Sequence, residues 1–384
     1  NDLIKVNSLH QQDYTGQGLI IAVLDNGFSG VTTFSGFQNI QDNNQILGSY
    51  NFVQRNNNLD TGGTHGMSVL STIAGFVDGE LIGTAPDAEF YLFVTEDVNS
   101  ETPLEESLWV EAVERADSLG VDIINTSLGY RAFDDSKYNH DYSDFDGNTT
   151  FIARGASILG SKGIIATIAA GNEGNSFHYI STPADASNVL TVGAVDQNGN
   201  MASFSSYGPT ADGRIKPDVD AKGASATIIN SSGNVSTGSG TSFASPILCG
   251  AVACLWQAFP DKNSYEIMQM IRESAHLYQN PDNHYGYGIP NFQQIFETTA
   301  IGKNTNESIL VYPNPTANNI HISKKIRQYT LHDIYGSKIL DISSYNADID
   351  KVDMQNIPNG IYFLHIKAIH FNQTYKIIKN DASQ

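Results

Sequence analysis

The sequence predicts an α/β domain with a mostly parallel sheet covered by helices on both faces, followed by a small all-β sandwich. Three observations lead there. Short apolar runs such as Leu19 to Leu24 do not alternate in polarity, as expected of strands buried on both sides. Longer amphipathic stretches separate those runs, the pattern of strand and helix alternation. After about Ile301 the texture changes to short β-prone pieces divided by turn signals.

In the first region the predicted strands are Leu19 to Leu24, Glu89 to Val94, Val121 to Thr126, Ile164 to Ala169 and Val189 to Val195. Between them, Leu104 to Leu119 carries Leu104, Leu108, Val110, Ala112, Val113 and Ala116 at helical spacing and stops at Gly120, a good C-terminal cap. Further helices are predicted from Phe151 to Leu159, Ser242 to Ala258 and Ser264 to Ala275. The polar, breaker-rich stretch 301–308 reads as a linker between a domain at 1–300 and a second at 309–384. In the second, the pieces Ile309 to Tyr312, Asn319 to Ser323, Tyr329 to Ile334, Lys338 to Ile342, Ile361 to Lys367 and Thr374 to Lys379 have the spacing of a β-sandwich.

Composition narrows the function. The 384 residues carry 21 basic and 41 acidic side chains, a net charge of −20, so a nucleic-acid partner is repelled by most of the surface. The two parts differ in kind: up to residue 308 there are 13 Lys+Arg against 35 Asp+Glu, a balance of −22, and beyond it 8 against 6, or +2. No apolar run approaches the roughly 18 residues of a membrane span, and a monomer is expected. Cys249 and Cys254 fall about 140° apart on one helix, so they read as buried thiols and not as a disulfide. A core of this size needs no covalent staple, and few cysteines do not argue against export. No signal-peptide pattern stands at Asn1, so any leader is expected to have been removed.

Three segments carry chemistry. Asp25 follows an apolar strand directly, at the carboxyl edge where open α/β sheets place their sites. His65 follows Gly62-Gly63-Thr64 and opens a helical stretch from Met67 to Ala74. Ser242 lies in Gly240-Thr241-Ser242-Phe243-Ala244-Ser245-Pro246, just before an apolar helix. Singly, these read as a turn, a helix-start histidine and an N-cap. Together they supply a hydroxyl nucleophile, an imidazole to take its proton and a carboxylate to fix the imidazole tautomer.

Taken together, these segments resemble the subtilisin family of serine peptidases over roughly residues 10 to 295. The chain order Asp, His, Ser is also that family's order. The resemblance implies a serine endopeptidase with Asp25, His65 and Ser242 as its triad. It implies that Asn172, in Ala170-Gly171-Asn172-Glu173-Gly174, supplies one oxyanion donor, beside the Ser242 backbone N–H. It also implies that Ser127, Leu128 and Gly129 form the strand against which substrate pairs. Ala169, Ala170 and Gly171 then wall the pocket for the residue before the cleaved bond, and Ser181 is its floor. A small floor suits large side chains such as Leu, Phe or Tyr, and Glu173 at the rim is expected to penalise acidic ones.

Asn26 stands where the family has Thr or Ser, and Met67 where it has Thr; neither position carries the chemistry. Residues 76–83 are shorter than the calcium loop of secreted bacterial subtilisins, so that site is expected to be missing. No cofactor is required for the chemistry. The acidic insertion between Tyr130 and Thr150, with Asp134, Asp135, Asp141, Asp144 and Asp146, reads as a solvated loop beside the cleft or as a structural Ca²⁺ site. An EF-hand is excluded, since Gly147 as its sixth position makes Tyr142 the first ligand and Ala153 the last.

The tail runs through Val311-Tyr312-Pro313-Asn314-Pro315, Tyr335-Gly336 and Asn359-Gly360-Ile361-Tyr362 to Lys376-Ile377-Ile378-Lys379. It resembles the C-terminal sorting domain of the type IX secretion system of Bacteroidetes. That implies secretion or cell-surface attachment, with the secretion machinery as one partner and a protein or peptide substrate as the other. A non-catalytic relative or an adhesin displayed through the same tail is the alternative. A pseudoenzyme is expected to have lost a triad member or Asn172, and all four are present.

Overall fold

The computed structural model describes residues 1–304, 310–326, 328–343, 349–368 and 371–380. The chain divides into two compact units, Asn1–Thr298 and Thr299–Gln384.

The first unit is built on seven strands: β1 Ile20–Asp25, β2 Ile46–Asn51, β3 Glu89–Val94, β4 Ile123–Thr126, β5 Ile165–Ala169, β6 Leu190–Val195 and β7 Val219–Lys222. Their order is β2-β3-β1-β4-β5-β6-β7 and every pairing is parallel. The five predicted strands are its interior. The sequence reading missed β2 and β7, which form the two edges.

Six longer helices accompany the sheet: α1 His65–Ala74, α2 Leu104–Ser118, α3 Phe151–Ser161, α4 Thr241–Ala258, α5 Ser264–Ser274 and α6 Phe292–Asn304. Side chains along a strand point alternately to its two faces. In β1, Ile21 and Val23 accordingly pack with α1 and α4, while Ala22 and Leu24 pack with Trp109 and Ala112 of α2 and Ile152 of α3. Both faces are therefore dry, which is why these strands read as unbroken apolar runs. Helix α4 is long and apolar enough to cross a membrane, but it is 89% buried inside this unit and serves as its core helix.

Parallel register sets the site. Leu24 pairs with Thr126, and Thr126 with Ile168. The next residues on the three strands, Asp25, Ser127 and Ala169, therefore emerge side by side at the carboxyl edge of the sheet.

Helix α6 corrects the expected boundary. It continues through Asn304, so residues 301–304 of the expected linker are helical. The breakers that suggested a loop there, Gly302 and Asn304, cost only about 1 kcal/mol in a helix, too little to end one. Residues 305–308 lie outside the described residues, as does Ile309.

The second unit holds β10 Val311–Tyr312, β11 Asn319–Ile326, β12 Gln328–Asp333, β13 Lys338–Ser343, β14 Ile349–Asp353, β15 Gly360–Ala368 and β16 Phe371–Lys379, after a two-stranded ribbon of the first unit, β8 Ala226–Ile229 and β9 Val235–Gly238. They form antiparallel sheets ordered β10-β11-β14 and β13-β12-β15-β16. Ile320, Leu331, Val352, Leu364 and Ile377 are fully buried between them. Strands β12 and β15 bury alternate residues, Tyr329 and Leu331 in the one and Tyr362, Leu364 and Ile366 in the other, the half-wet pattern that makes antiparallel strands legible by period.

Candidate active site

Asp25 is the last residue of β1 and is wholly buried. Its Oδ1 accepts the Asn26 backbone N–H at 2.8 Å and lies 2.7 Å from His65 Nδ1. His65 is the first residue of α1, and Gly66 lets that helix sit directly on the Asp25 turn: a Cβ there would come within 2.7 Å of Asp25 Cβ. The Asp25 carboxylate raises the His65 pKa above its ordinary value, against the opposing effect of burial. The imidazole is one-third exposed.

Ser242 is the second residue of α4, with Gly240 as N-cap. Pro246 lies four residues later and has no N–H, so the Ser242 carbonyl lacks its intrahelical donor. Ser127 Oγ supplies one at 2.8 Å, and the Ser242 hydroxyl points back to the Ser127 carbonyl at 3.3 Å. Asn125, buried in β4, steadies this join: its Nδ2 donates to Ser127 Oγ at 3.1 Å and its Oδ1 accepts from Ser245 Oγ at 2.9 Å. The His65 ring lies 6.1 Å from that of Phe243, which brings imidazole and Ser242 to the same end of α4.

Asn172 follows β5 by three residues. Its side-chain oxygen accepts the Thr241 backbone N–H at 2.9 Å and the Thr241 hydroxyl at 3.0 Å. With its oxygen so fixed, the amide Nδ2 is left as a donor beside Ser242. Together these residues border a cleft of ≈ 340 Å³ that also touches Leu128, Gly129, Ala169, Gly171 and Ser181. Glycine is needed at two of these places: a Cβ on Gly129 would collide with Ser181 Oγ, and Gly171 has φ +108° with Ser206 Oγ 2.9 Å from a Cβ there.

Ala170 departs from expectation. Its side chain is fully buried in the core shared with α2 and α3, because alternate residues at a strand end face opposite sides. Ala169 and Gly171 face the cleft instead. Glu173 is also not the free charge expected at the rim, since Arg131 Nε meets its Oε2 at 2.8 Å.

A model of the subtilase family matches residues 16–288. The chain belongs to the subtilase family. It is a serine peptidase, 28% identical to subtilisin DY of Bacillus licheniformis over 76% of this chain and 95% of that protein. It is 29% identical to the serine protease AprX of Bacillus subtilis over 73% of this chain and 66% of that protein. Among solved structures, the prenylagaramide maturation protease PagA superposes with a TM-score of 0.58 at 22% identity, covering 76% of this chain and 97% of that one. Residues 310–380 match the secretion system C-terminal sorting domain, which makes this subtilase a secreted, surface-directed protein.

The acidic residues of this subtilase that converge are not those of the insertion. Asp141 and Asp144 form a capping box, Asp146 caps Asn148 and Thr149, and Asp134 accepts the Glu101 N–H. Carboxylates hold turns readily in this way, which is why an Asp-rich loop is poor evidence for a metal. Instead Glu96, Glu101 and Glu105 bring one ligand atom each within 4.8 Å of one another, the one such set among the described residues. Burial first, and then Glu105, pushes Glu101 up to about 7 and Glu96 well above the usual carboxylate range.

Sequence reasoning missed Asn125, Thr241 and Arg131. A polar Asn inside the apolar run Val121 to Thr126 was a usable signal, because a buried amide in a strand needs side-chain partners. Arg131 and Glu173 are 42 residues apart, and nothing local announces their pairing.

Proposed function

We propose that this subtilase cleaves peptide bonds in proteins outside the cell through an acyl-enzyme formed on Ser242. His65 takes the Ser242 proton as Oγ bonds to the substrate carbonyl carbon, and then gives it to the departing amine as the C–N bond breaks. Water repeats the sequence on the acyl-enzyme and frees the acid. Asp25 holds the imidazole with Nδ1 protonated and stabilises the imidazolium. Asn172 Nδ2 and the Ser242 N–H, one of the helix-start donors that no helical turn uses, stabilise the tetrahedral oxyanion.

Substrate lies extended along Ser127-Leu128-Gly129, with the side chain before the cleaved bond in the cleft that ends at Ser181. Large hydrophobic residues suit it. Discrimination among them is broad, at about 1–3 kcal/mol per methylene. The observation that carries the reading is the 2.7 Å contact of buried Asp25 with His65 at the strand edge where α4 presents Ser242. The chemistry so described needs no metal.

The test is hydrolysis of a peptide library by the wild-type protein and by Asn172→Ala. Wild-type cleavage with Phe, Tyr or Leu before the bond is expected, with kcat lowered about 10²- to 10³-fold by the substitution, as a lost oxyanion donor costs. An unchanged kcat would remove Asn172 from the oxyanion site.

A further inference from the structure

We propose that Arg131 sets the charge selectivity of the principal pocket: it cancels Glu173 across the rim, so that neutral side chains are accepted and both basic and acidic ones rejected. The inference rests on the peptidase reading above and deepens it.

The two residues come from opposite walls. Arg131 lies two residues beyond Gly129 on the strand proposed to bind substrate, and Glu173 directly follows Asn172; both border the cleft that holds Ser181 and Ser242. Their contact is two-pronged, Nε to Oε2 at 2.8 Å and Nη2 to Oε1 at 3.3 Å. Arginine makes such forked contacts and lysine cannot.

This is not a loose surface pair. The guanidinium carbon stands 4.6 Å from the centre of the Phe177 ring, and Phe177 packs edge-on against Tyr179 and Phe145. Both backbones are tied down: the Arg131 carbonyl accepts the His140 N–H at 2.8 Å, and the Glu173 N–H donates to Ser206 Oγ at 3.0 Å. Side-chain exposures of 31% and 39% leave the pair reachable from solvent, and both residues line the cleft.

With the pair closed, an entering ammonium finds the carboxylate already satisfied, and an entering carboxylate finds the guanidinium occupied. Either would leave water without gaining a partner, which is costly for a charge and not for a neutral side chain. Removing one member uncovers the other. Arg131→Ala leaves Glu173, with Glu101 also on the cleft, as uncompensated negative charge. Glu173→Gln leaves Arg131 free to meet an acid.

The experiment measures kcat/KM on three matched peptides with Phe, Lys or Glu before the cleaved bond. It compares the wild-type protein with Arg131→Ala, Arg131→Lys, Glu173→Gln and the Arg131→Ala/Glu173→Gln double variant. The wild type should prefer Phe to both charged peptides. Arg131→Ala should raise the Lys-to-Phe ratio about tenfold and Glu173→Gln the Glu-to-Phe ratio by a similar factor, the double variant should return both toward wild type, and Arg131→Lys should shift them least. A uniform fall on all three peptides would mean that the pair only holds the loop, and would overturn the proposal. So would unchanged ratios, or a wild-type preference for Lys or Glu. Failure of the peptidase reading looks different: the wild type cleaves none of the peptides and Ser242 resists phosphonate labelling, which removes this inference with it.

Discussion

In the proposed mechanism His65 works only if it is neutral at the start of the cycle, and Asp25 raises its pKa. The sign follows: protonated imidazole cannot accept the Ser242 proton, so kcat/KM should fall as pH drops through a value above the ordinary histidine value near 6.5. Asp25→Asn removes the largest cause of the shift, so the acid limb of its residual activity should move to lower pH. Its kcat should fall by about 10⁴-fold, the scale of losing a triad carboxylate. A pH–rate profile of both proteins checks this; an acid limb that stays in place would separate His65 from Asp25. The places of Asp25 at a strand end and Ser242 at a helix start were legible in the sequence, because an apolar run leads into the one and out of the other. Arg131 was not, because its role exists only once Glu173 is folded against it.

At the scale of elements, the join between β4 and α4 is the one on which the site depends. Pro246 leaves the Ser242 carbonyl without a helical donor, and Ser127 fills the vacancy. Ser127→Ala should therefore leave a buried carbonyl unpaired and cost about 1–3 kcal/mol. Urea unfolding followed by fluorescence would read this as a lower midpoint at unchanged slope. An unchanged midpoint would show that the carbonyl finds another donor. Interior strands such as Ile20–Asp25 were legible because burial on both faces makes them continuously apolar. The edge strands Ile46–Asn51 and Val219–Lys222 were not: the first is half-exposed and carries Gly48, Ser49 and Asn51, and the second carries a buried Asp220. Their strand character comes from the neighbour they pair with, not from local propensity. Helix α6 was missed for a related reason, since its Thr298 and Gly302 weaken the helical signal that packing of Phe292 and Ile295 restores.

The whole molecule joins a strongly acidic catalytic unit to a nearly neutral β-sandwich, each with its own buried core. Separate cores imply separate chemistry, so a chain ending after Asn304 should keep its kcat on a small peptide to within about twofold, the scatter expected of a remote change. A shortened chain that folds but is inactive would make the sandwich part of the catalytic machinery. The central claim is that Ser242 is the nucleophile. Its most direct measurement is covalent labelling with an active-site phosphonate, mapped by peptide mass spectrometry in the wild type and in Ser242→Ala. The account predicts one adduct, on Ser242, that is absent from the variant, whose peptidase activity falls by about 10⁶-fold, the scale seen when a subtilisin loses its nucleophile. Labelling at another residue, or a folded Ser242→Ala protein that keeps more than about a tenth of its activity, would contradict it.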